Sequence, residues 1–131
     1  MMSSSSVARA ATVLVVDDDQ RILRLVSGVL EREGFEVLVA GDAAEALALA
    51  GAAQIDVVLT DVMMPKMTGA DLARELWRRG ARTPVIYMTG STGVDLPTVD
   101  GAPVVVRKPF QPQDIVAAVA AAVRRCDGEP S

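Results

Sequence analysis

Histidine is absent from this chain, and cysteine and aromatic residues are scarce. Without histidine, the chain cannot use imidazole for general acid–base catalysis, bind a metal through imidazole or carry a phosphohistidine of its own. The single cysteine, Cys126, excludes an internal disulfide bond and fits a reducing compartment. An aromatic content of only 3% argues against surfaces that stack on nucleic-acid bases or flavins.

An excess of positive charge and long apolar runs are missing as well. The formal net charge is -4, so no general surplus of cations exists to neutralise phosphates, and direct binding of nucleic acid is disfavoured. No apolar run approaches the ~20 residues that cross a membrane, and the N-terminal "MMSSSSVARA" lacks the apolar core of a secretory signal. We therefore expect a cytoplasmic protein with no membrane partner.

The residues that are present suit one globular domain. A length of 131 residues is typical of a single core, and a 50% share of hydrophobic residues can fill it. We predict a disordered leader over residues 1–9, a folded domain over residues 10–126 and a flexible tail over residues 127–131.

Short β-branched runs alternate with segments of helical periodicity along this domain. The predicted strands are residues 12–16, 36–40, 55–60, 84–89 and 103–106. Apolar residues recur at helical spacing in the segments that follow, as they do from Ile22 to Leu30. Near-continuous apolar strands that alternate with helices indicate an α/β fold with a doubly wound parallel sheet covered on both faces.

Helix boundaries are marked by residues with strong positional preferences. Gly34 and Gly80 stand where a glycine in a left-handed conformation would end the first and third helices. Thr68 and Asp71 have the spacing of a capping box, and Pro112 suits the first turn of the last helix. These signals support the predicted order of strands and helices.

Reactive side chains stand at or just after the carboxyl ends of four of the predicted strands. Ligands of parallel sheets bind outside the carboxyl ends of the strands, so these side chains are expected to lie close together. The set comprises Asp17, Asp18, Asp61, Thr89 and Lys108. Asp19, the third aspartate after the first strand, is expected to cap the first helix instead.

This combination suits phosphoryl transfer to a carboxylate. Magnesium prefers hard oxygen ligands, and a few carboxylates at one edge of a sheet would supply them. A carboxylate can act as the nucleophile, while a metal ion and a lysine spread the charge of the transferring group.

Four motifs together resemble the receiver domain of two-component response regulators, the CheY-like family. They are "VLVVDDDQRILRLV", "VVLTDVMMPKMTG", "VIYMTG" and "VVVRKPF", and they stand in the order and at the spacing of that family. The resemblance implies a flavodoxin-like fold whose five parallel strands have the order 2-1-3-4-5. It also implies a phosphorylated signalling switch, and not an enzyme beyond its own phosphorylation and dephosphorylation.

The resemblance assigns a role to each residue of the set. Asp61 corresponds to the phosphoacceptor, while Asp17 and Asp18 correspond to the acidic pair that binds Mg²⁺ or Mn²⁺. The backbone carbonyl of Met63 would complete the protein's share of that coordination. Thr89 corresponds to the switch hydroxyl, and Lys108 to the lysine that pairs with the acceptor or its phosphoryl group, with a cis peptide bond following it.

The resemblance also implies the partners. A histidine kinase or a histidine phosphotransfer protein would donate the phosphoryl group, and the domain would be a monomer or a weak dimer. Two origins stay open: a single-domain response regulator, or the receiver part of a hybrid histidine kinase.

Two features depart from the family pattern. Val105 stands three residues before Lys108, where receivers usually have an aromatic side chain that rotates with the threonine, so that movement is not expected here. Residues 90–102 contain three glycines and Pro97, which leaves room for at most a short, irregular fourth helix. This compact segment is similar to that of receivers in hybrid kinases.

Three other functions compete with the switch. A haloacid dehalogenase-type phosphatase would need an aspartate at position 63, where the chain has methionine. A flavodoxin-like electron carrier would need a loop rich in serine or threonine after the first strand. A protein-binding module that works without phosphorylation remains the third alternative, and it predicts loss of the acidic residues, all of which are present.

Overall fold

The computed structural model describes residues 10–90, 96–98 and 101–127, with side chains up to Arg124. The strands are β1 (Thr12–Val16), β2 (Glu36–Ala40), β3 (Val57–Asp61), β4 (Val85–Thr89) and β5 (Val104–Arg107). The helices are α1 (Gln20–Arg32), α2 (Ala43–Ala52), α3 (Gly69–Arg78) and α4 (Pro112–Asp127). The predicted leader over residues 1–9 and residues 128–131 of the predicted tail lie outside the described residues.

The five strands form one parallel sheet in the order β2-β1-β3-β4-β5, which confirms the topology that the family resemblance implies. The bounds of β1 and β2 are those predicted from the sequence. The other three strands begin one or two residues later than predicted, and β3 and β5 also end one residue later. Pairing with neighbouring strands sets these ends, and the apolar pattern does not reveal the pairing.

The core has two layers, one on each face of the sheet. Successive residues of β1 alternate between the layers, so Leu14 packs with α2 and α3 whereas Val15 packs with α1 and α4. Every residue of β3 and β4 is buried as well. Burial on both faces explains why these strands read as continuous apolar runs.

Side chains at the helix ends satisfy backbone groups as predicted. Asp19 caps α1 by accepting a hydrogen bond from the backbone N–H of Arg21. Thr68 and Asp71 form a reciprocal capping box at the start of α3. Gly34 follows α1 with a φ of 94°, a left-handed conformation that glycine adopts without strain. These residues mark the start and end of α1 and the start of α3.

The connection between β4 and β5 is described only in part. Of the predicted irregular helix over residues 90–102, positions 91–95 and 99–100 lie outside the described residues, and the described positions are not helical. Leu96 is buried in the layer of α2 and α3. Within the described part of the chain, none of the helices has the length and apolarity to cross a membrane.

Candidate functional site

Asp17 stands immediately after β1 and is held there by backbone groups. Its N–H donates to the carbonyl oxygen of Ala40 in β2, and its Oδ1 accepts a hydrogen bond of 2.9 Å from the N–H of Asp19. The residue is only 1% exposed, whereas the next residue, Asp18, is exposed. The end of β1 therefore presents one buried and one solvated carboxylate at the same edge of the sheet.

Asp61, the last residue of β3, lies beside these carboxylates. The parallel register pairs Val16 with Thr60, which brings the residues that follow next to each other. One carboxylate oxygen from each of Asp17, Asp18 and Asp61 can be chosen so that all three lie within 4.8 Å of one another. Two adjacent aspartates and a third that is distant in the sequence thus form one cluster.

Gly69 lies against the backbone of Asp61, a contact that the sequence analysis did not predict. A Cβ atom on Gly69 would lie 2.4 Å from the backbone carbonyl oxygen of Asp61, closer than side-chain atoms approach backbone. The N–H of Gly69 also donates to the carbonyl oxygen of Val62. The glycine in "KMTGA" was the available signal, but its spacing from Asp61 does not show that α3 begins in contact with that residue's backbone.

Lys108 follows β5 and bridges two of the three carboxylates. Its Nζ lies 3.3 Å from Oδ2 of Asp17 and 3.4 Å from Oδ1 of Asp61. The backbone N–H of Lys108 donates to the carbonyl oxygen of Thr89, and the peptide bond to Pro109 is cis, as the resemblance implies. The lysine thereby joins the ends of β1, β3, β4 and β5.

Burial and charge act against each other within the cluster. Burial raises the pKa of Asp17, and the charge of Asp61 adds to this, whereas the hydrogen bond from Asp19 and the charge of Lys108 oppose it. Burial alone would lower the pKa of Lys108, but the attraction of Asp17 and Asp61 outweighs it and raises that pKa above its usual value. The cluster thus has one ammonium group, which contacts two of the three carboxylates, and this leaves an excess of negative charge.

Thr89 and Met63 are each related to Asp61, Thr89 by the pairing of β4 with β3 and Met63 by its position two residues later in the sequence. Thr89 is 3% exposed and ends β4, one residue beyond Met88, the partner of Asp61 in the register between β3 and β4. The N–H of Met63 donates to Oδ1 of Asp61 over 3.4 Å, while its side chain is 67% exposed. A metal-binding role for the Met63 carbonyl stays a prediction.

The donor set fits a hard divalent cation. The three candidate side-chain ligands are carboxylates, whose oxygens Mg²⁺ and Mn²⁺ prefer, and a cation would offset the excess negative charge. The exposed position of Asp18 leaves one side of the cluster open to solvent.

Comparisons with known proteins agree with this geometry. A family model described as the response regulator receiver domain matches residues 13–120. The DNA-binding response regulator MtrA of Mycobacterium tuberculosis is 39% identical over 122 residues, which cover 91% of this chain and 53% of MtrA. The transcriptional regulatory protein CpxR of Klebsiella pneumoniae is 43% identical over 120 residues, which cover 86% of this chain and 49% of CpxR. The chain thus spans about half the length of the curated relatives it matches.

Solved structures show the same fold. A response regulator receiver domain protein from Clostridium thermocellum superposes with a TM-score of 0.77 at 35% identity, covering 89% of this chain and 97% of that protein. The chemotaxis protein CheY4 of Vibrio cholerae superposes with a TM-score of 0.73 at 33% identity, covering 86% of this chain and 98% of CheY4.

Proposed function

This chain belongs to the response regulator receiver domain family, and from that membership we propose that Asp61 is the residue that accepts the phosphoryl group. As a receiver domain of two-component signalling, it is a signalling switch and not a conventional enzyme. The observation that carries the assignment is the cluster of Asp17, Asp18 and Asp61, with Lys108 bridging two of its members.

The proposed step is a transfer from a phosphohistidine to the Asp61 carboxylate. A carboxylate oxygen of Asp61 attacks phosphorus, an O–P bond forms as the N–P bond breaks, and the imidazole nitrogen keeps the electron pair. The donor histidine lies outside this chain, which contains none. Lys108, at 3.4 Å from Asp61, is positioned to balance the charge of the phosphoryl oxygens. Hydrolysis of the acyl phosphate restores the carboxylate.

We propose that Asp17, Asp18, Asp61 and the backbone carbonyl of Met63 hold Mg²⁺ or Mn²⁺ at this site. When bound, the cation neutralises charge on the phosphoryl oxygens. The buried Thr89 hydroxyl is proposed to bond those oxygens once they are present, which gives the modified state a contact that the free domain lacks.

The proposed partner is a histidine kinase or a histidine phosphotransfer protein. MtrA is described as DNA-binding, but this chain spans only about half its length, and its net charge of -4 supports no direct contact with nucleic acid. The relatives reported above are regulators, which supports a response regulator over the receiver part of a hybrid kinase. A cytoplasmic location and a monomeric or weakly dimeric state stay predictions.

Intact mass spectrometry after incubation with acetyl phosphate and MgCl₂ tests the assignment of Asp61. We expect one phosphoryl adduct that hydroxylamine removes and that Asp61→Asn abolishes. Asp42→Asn is the matched control, because Asp42 caps α2 and is not a member of the cluster, and asparagine caps a helix equally well. If the chain stays unmodified while a known receiver is modified, the proposal fails and a phosphorylation-independent binding module is favoured.

A further inference from the structure

Tyr87, which lies outside the carboxylate cluster, ties the connection between β4 and β5 to the sheet. Its side chain is fully buried, and its hydroxyl donates a hydrogen bond of 2.6 Å to the carbonyl oxygen of Pro97. Leu96, the residue before this proline, is 7% exposed and belongs to the same core layer as Tyr87. One polar and one apolar contact therefore hold this segment.

The position of Tyr87 within the sheet relates this anchor to the functional site. Tyr87 pairs with Thr60 of β3 on one side and with Val105 of β5 on the other. Because side chains alternate along a strand, Tyr87 and Thr89 project from the same face of β4. Thr89 in turn accepts a backbone hydrogen bond from Lys108. The strand that carries Thr89 is thus the strand to which the connection is attached.

The hydrogen bond is favoured because the phenol is buried. A hydroxyl removed from water without an acceptor is costly, so the Pro97 carbonyl and the Tyr87 hydroxyl stabilise each other's positions. Burial also raises the pKa of Tyr87 to about 12.

We propose that Tyr87 is a positioning residue that fixes residues 96–98 to β4. A displacement of the strand that carries Thr89 would therefore move this segment as well. The anchor is a property of the unmodified domain. The further claim, that residues 96–98 respond to phosphorylation through this anchor, rests on the proposed function of Asp61.

Amide hydrogen exchange in Tyr87→Phe tests the anchor. This substitution removes one oxygen atom and leaves the ring in the core. We expect the amides of Leu96, Thr98 and Gly101 to exchange about five- to ten-fold faster, as loss of one hydrogen bond allows, while the amides of α1 keep their rates. Unchanged exchange at these three amides would overturn the proposal.

Trp77→Phe is the matched control. It removes another hydrogen bond from an aromatic ring to a backbone carbonyl, that of the partly buried Trp77 Nε1 to the oxygen of Thr83. We expect no acceleration at residues 96–101 in this variant, and equal acceleration in both variants would point to general destabilisation and overturn the anchor. Ultraviolet titration of Tyr87, the sole tyrosine, tests the burial of the phenol on which the anchor depends: a midpoint near 12 is expected, and one near 10 would show that the ring is not packed in the core.

A second set of exchange measurements, with acetyl phosphate and MgCl₂, tests the link to phosphorylation. We expect phosphorylation to change the exchange rates of the Leu96 and Thr98 amides at least two-fold in the parent chain and not in Tyr87→Phe. The extent of adduct should be the same in both proteins. If the parent chain forms no adduct, the proposed function fails while the anchor result stands. An adduct without any change in exchange overturns the link alone.

Discussion

Asp17, Asp18 and Asp19 follow one another in the sequence but lie in three different environments. Asp17 is buried and contacts Lys108, Asp18 is exposed at the rim of the cluster, and Asp19 caps α1. Repulsion among the carboxylates is relieved in part by Lys108 and by the N–H of Asp19. The remaining negative charge is the reason to expect a cation at this site.

Asp18→Asn should weaken the binding of Mg²⁺ on the order of tenfold, because a charged ligand at the open side of the cluster becomes neutral. Isothermal titration calorimetry measures the change. Asp19→Asn is the control next to it in the sequence: asparagine caps α1 equally well, and Asp19 is not in the cluster, so affinity should stay within about twofold. Equal losses in both variants would mean that general charge, not ligation, governs binding.

At the scale of elements, the turn between β3 and α3 brings backbone close to the site. The chain leaves Asp61, passes through Lys66 with a φ of 72°, and enters α3 at Gly69 in contact with the carbonyl of Asp61. The start of this helix therefore helps to fix the position of the proposed acceptor.

Gly69→Ala should lower the free energy of unfolding by roughly 1–3 kcal/mol, because the new methyl group forces the start of α3 away from Asp61. Urea denaturation measures this, and acetyl phosphate should modify the variant more slowly. Gly28→Ala in the middle of α1 is the control, since nothing lies within 4 Å of the added Cβ. Its free energy of unfolding should rise by about 0.5–1 kcal/mol, because alanine favours a helix more than glycine does. Changes of the same sign in both variants would contradict the close contact.

The buried tyrosine of β4 predicts a loss of stability at alkaline pH. The pKa of Tyr87 is about 12 in the folded chain against 10.0 ordinarily, so the unfolded chain loses its proton first. The contribution of Tyr87 to the free energy of unfolding is fully present below pH 10. It decreases as pH rises toward 12, by about 3 kcal/mol at most. Lys108, whose pKa is also raised, acts in the same direction.

Urea unfolding at about pH 9 and about pH 11 measures this loss. Tyr87→Phe should show a smaller decrease between the two values because it retains only the contribution of Lys108. An equal decrease in both proteins would show that Tyr87 does not cause the loss.

At the scale of the whole molecule, the sequence predicted the five strands and the four described helices in their order along the chain, because burial on two faces leaves a continuous apolar pattern in the strands. It also predicted Asp17, Asp18 and Asp61 at one edge, since parallel strands bring their carboxyl ends together. It did not predict the contact of Gly69 with Asp61 or the bond from Tyr87 to Pro97. Such contacts depend on distances between packed elements, and residue periodicity carries no information about those distances.

A chain reduced to residues 10–127 should fold like the full chain. It keeps all five paired strands, together with the bond from the Glu36 N–H to the Ala11 carbonyl and that from the Thr12 N–H to Asp56. We expect one cooperative thermal transition within about 2 °C of the parent, a shift that corresponds to less than about 1 kcal/mol in a domain of this size. Scanning calorimetry or circular dichroism measures the midpoint.

A chain of residues 13–127 is the control for this truncation. It loses both of those hydrogen bonds and the first residue of β1, so its midpoint should fall by several degrees. If the chain of residues 10–127 were destabilised as much as the shorter one, residues 1–9 or 128–131 would have to stabilise the fold, contrary to the predicted leader and tail. If neither truncation lowered the midpoint, the two bonds at the start of β1 would contribute little to the stability of the sheet.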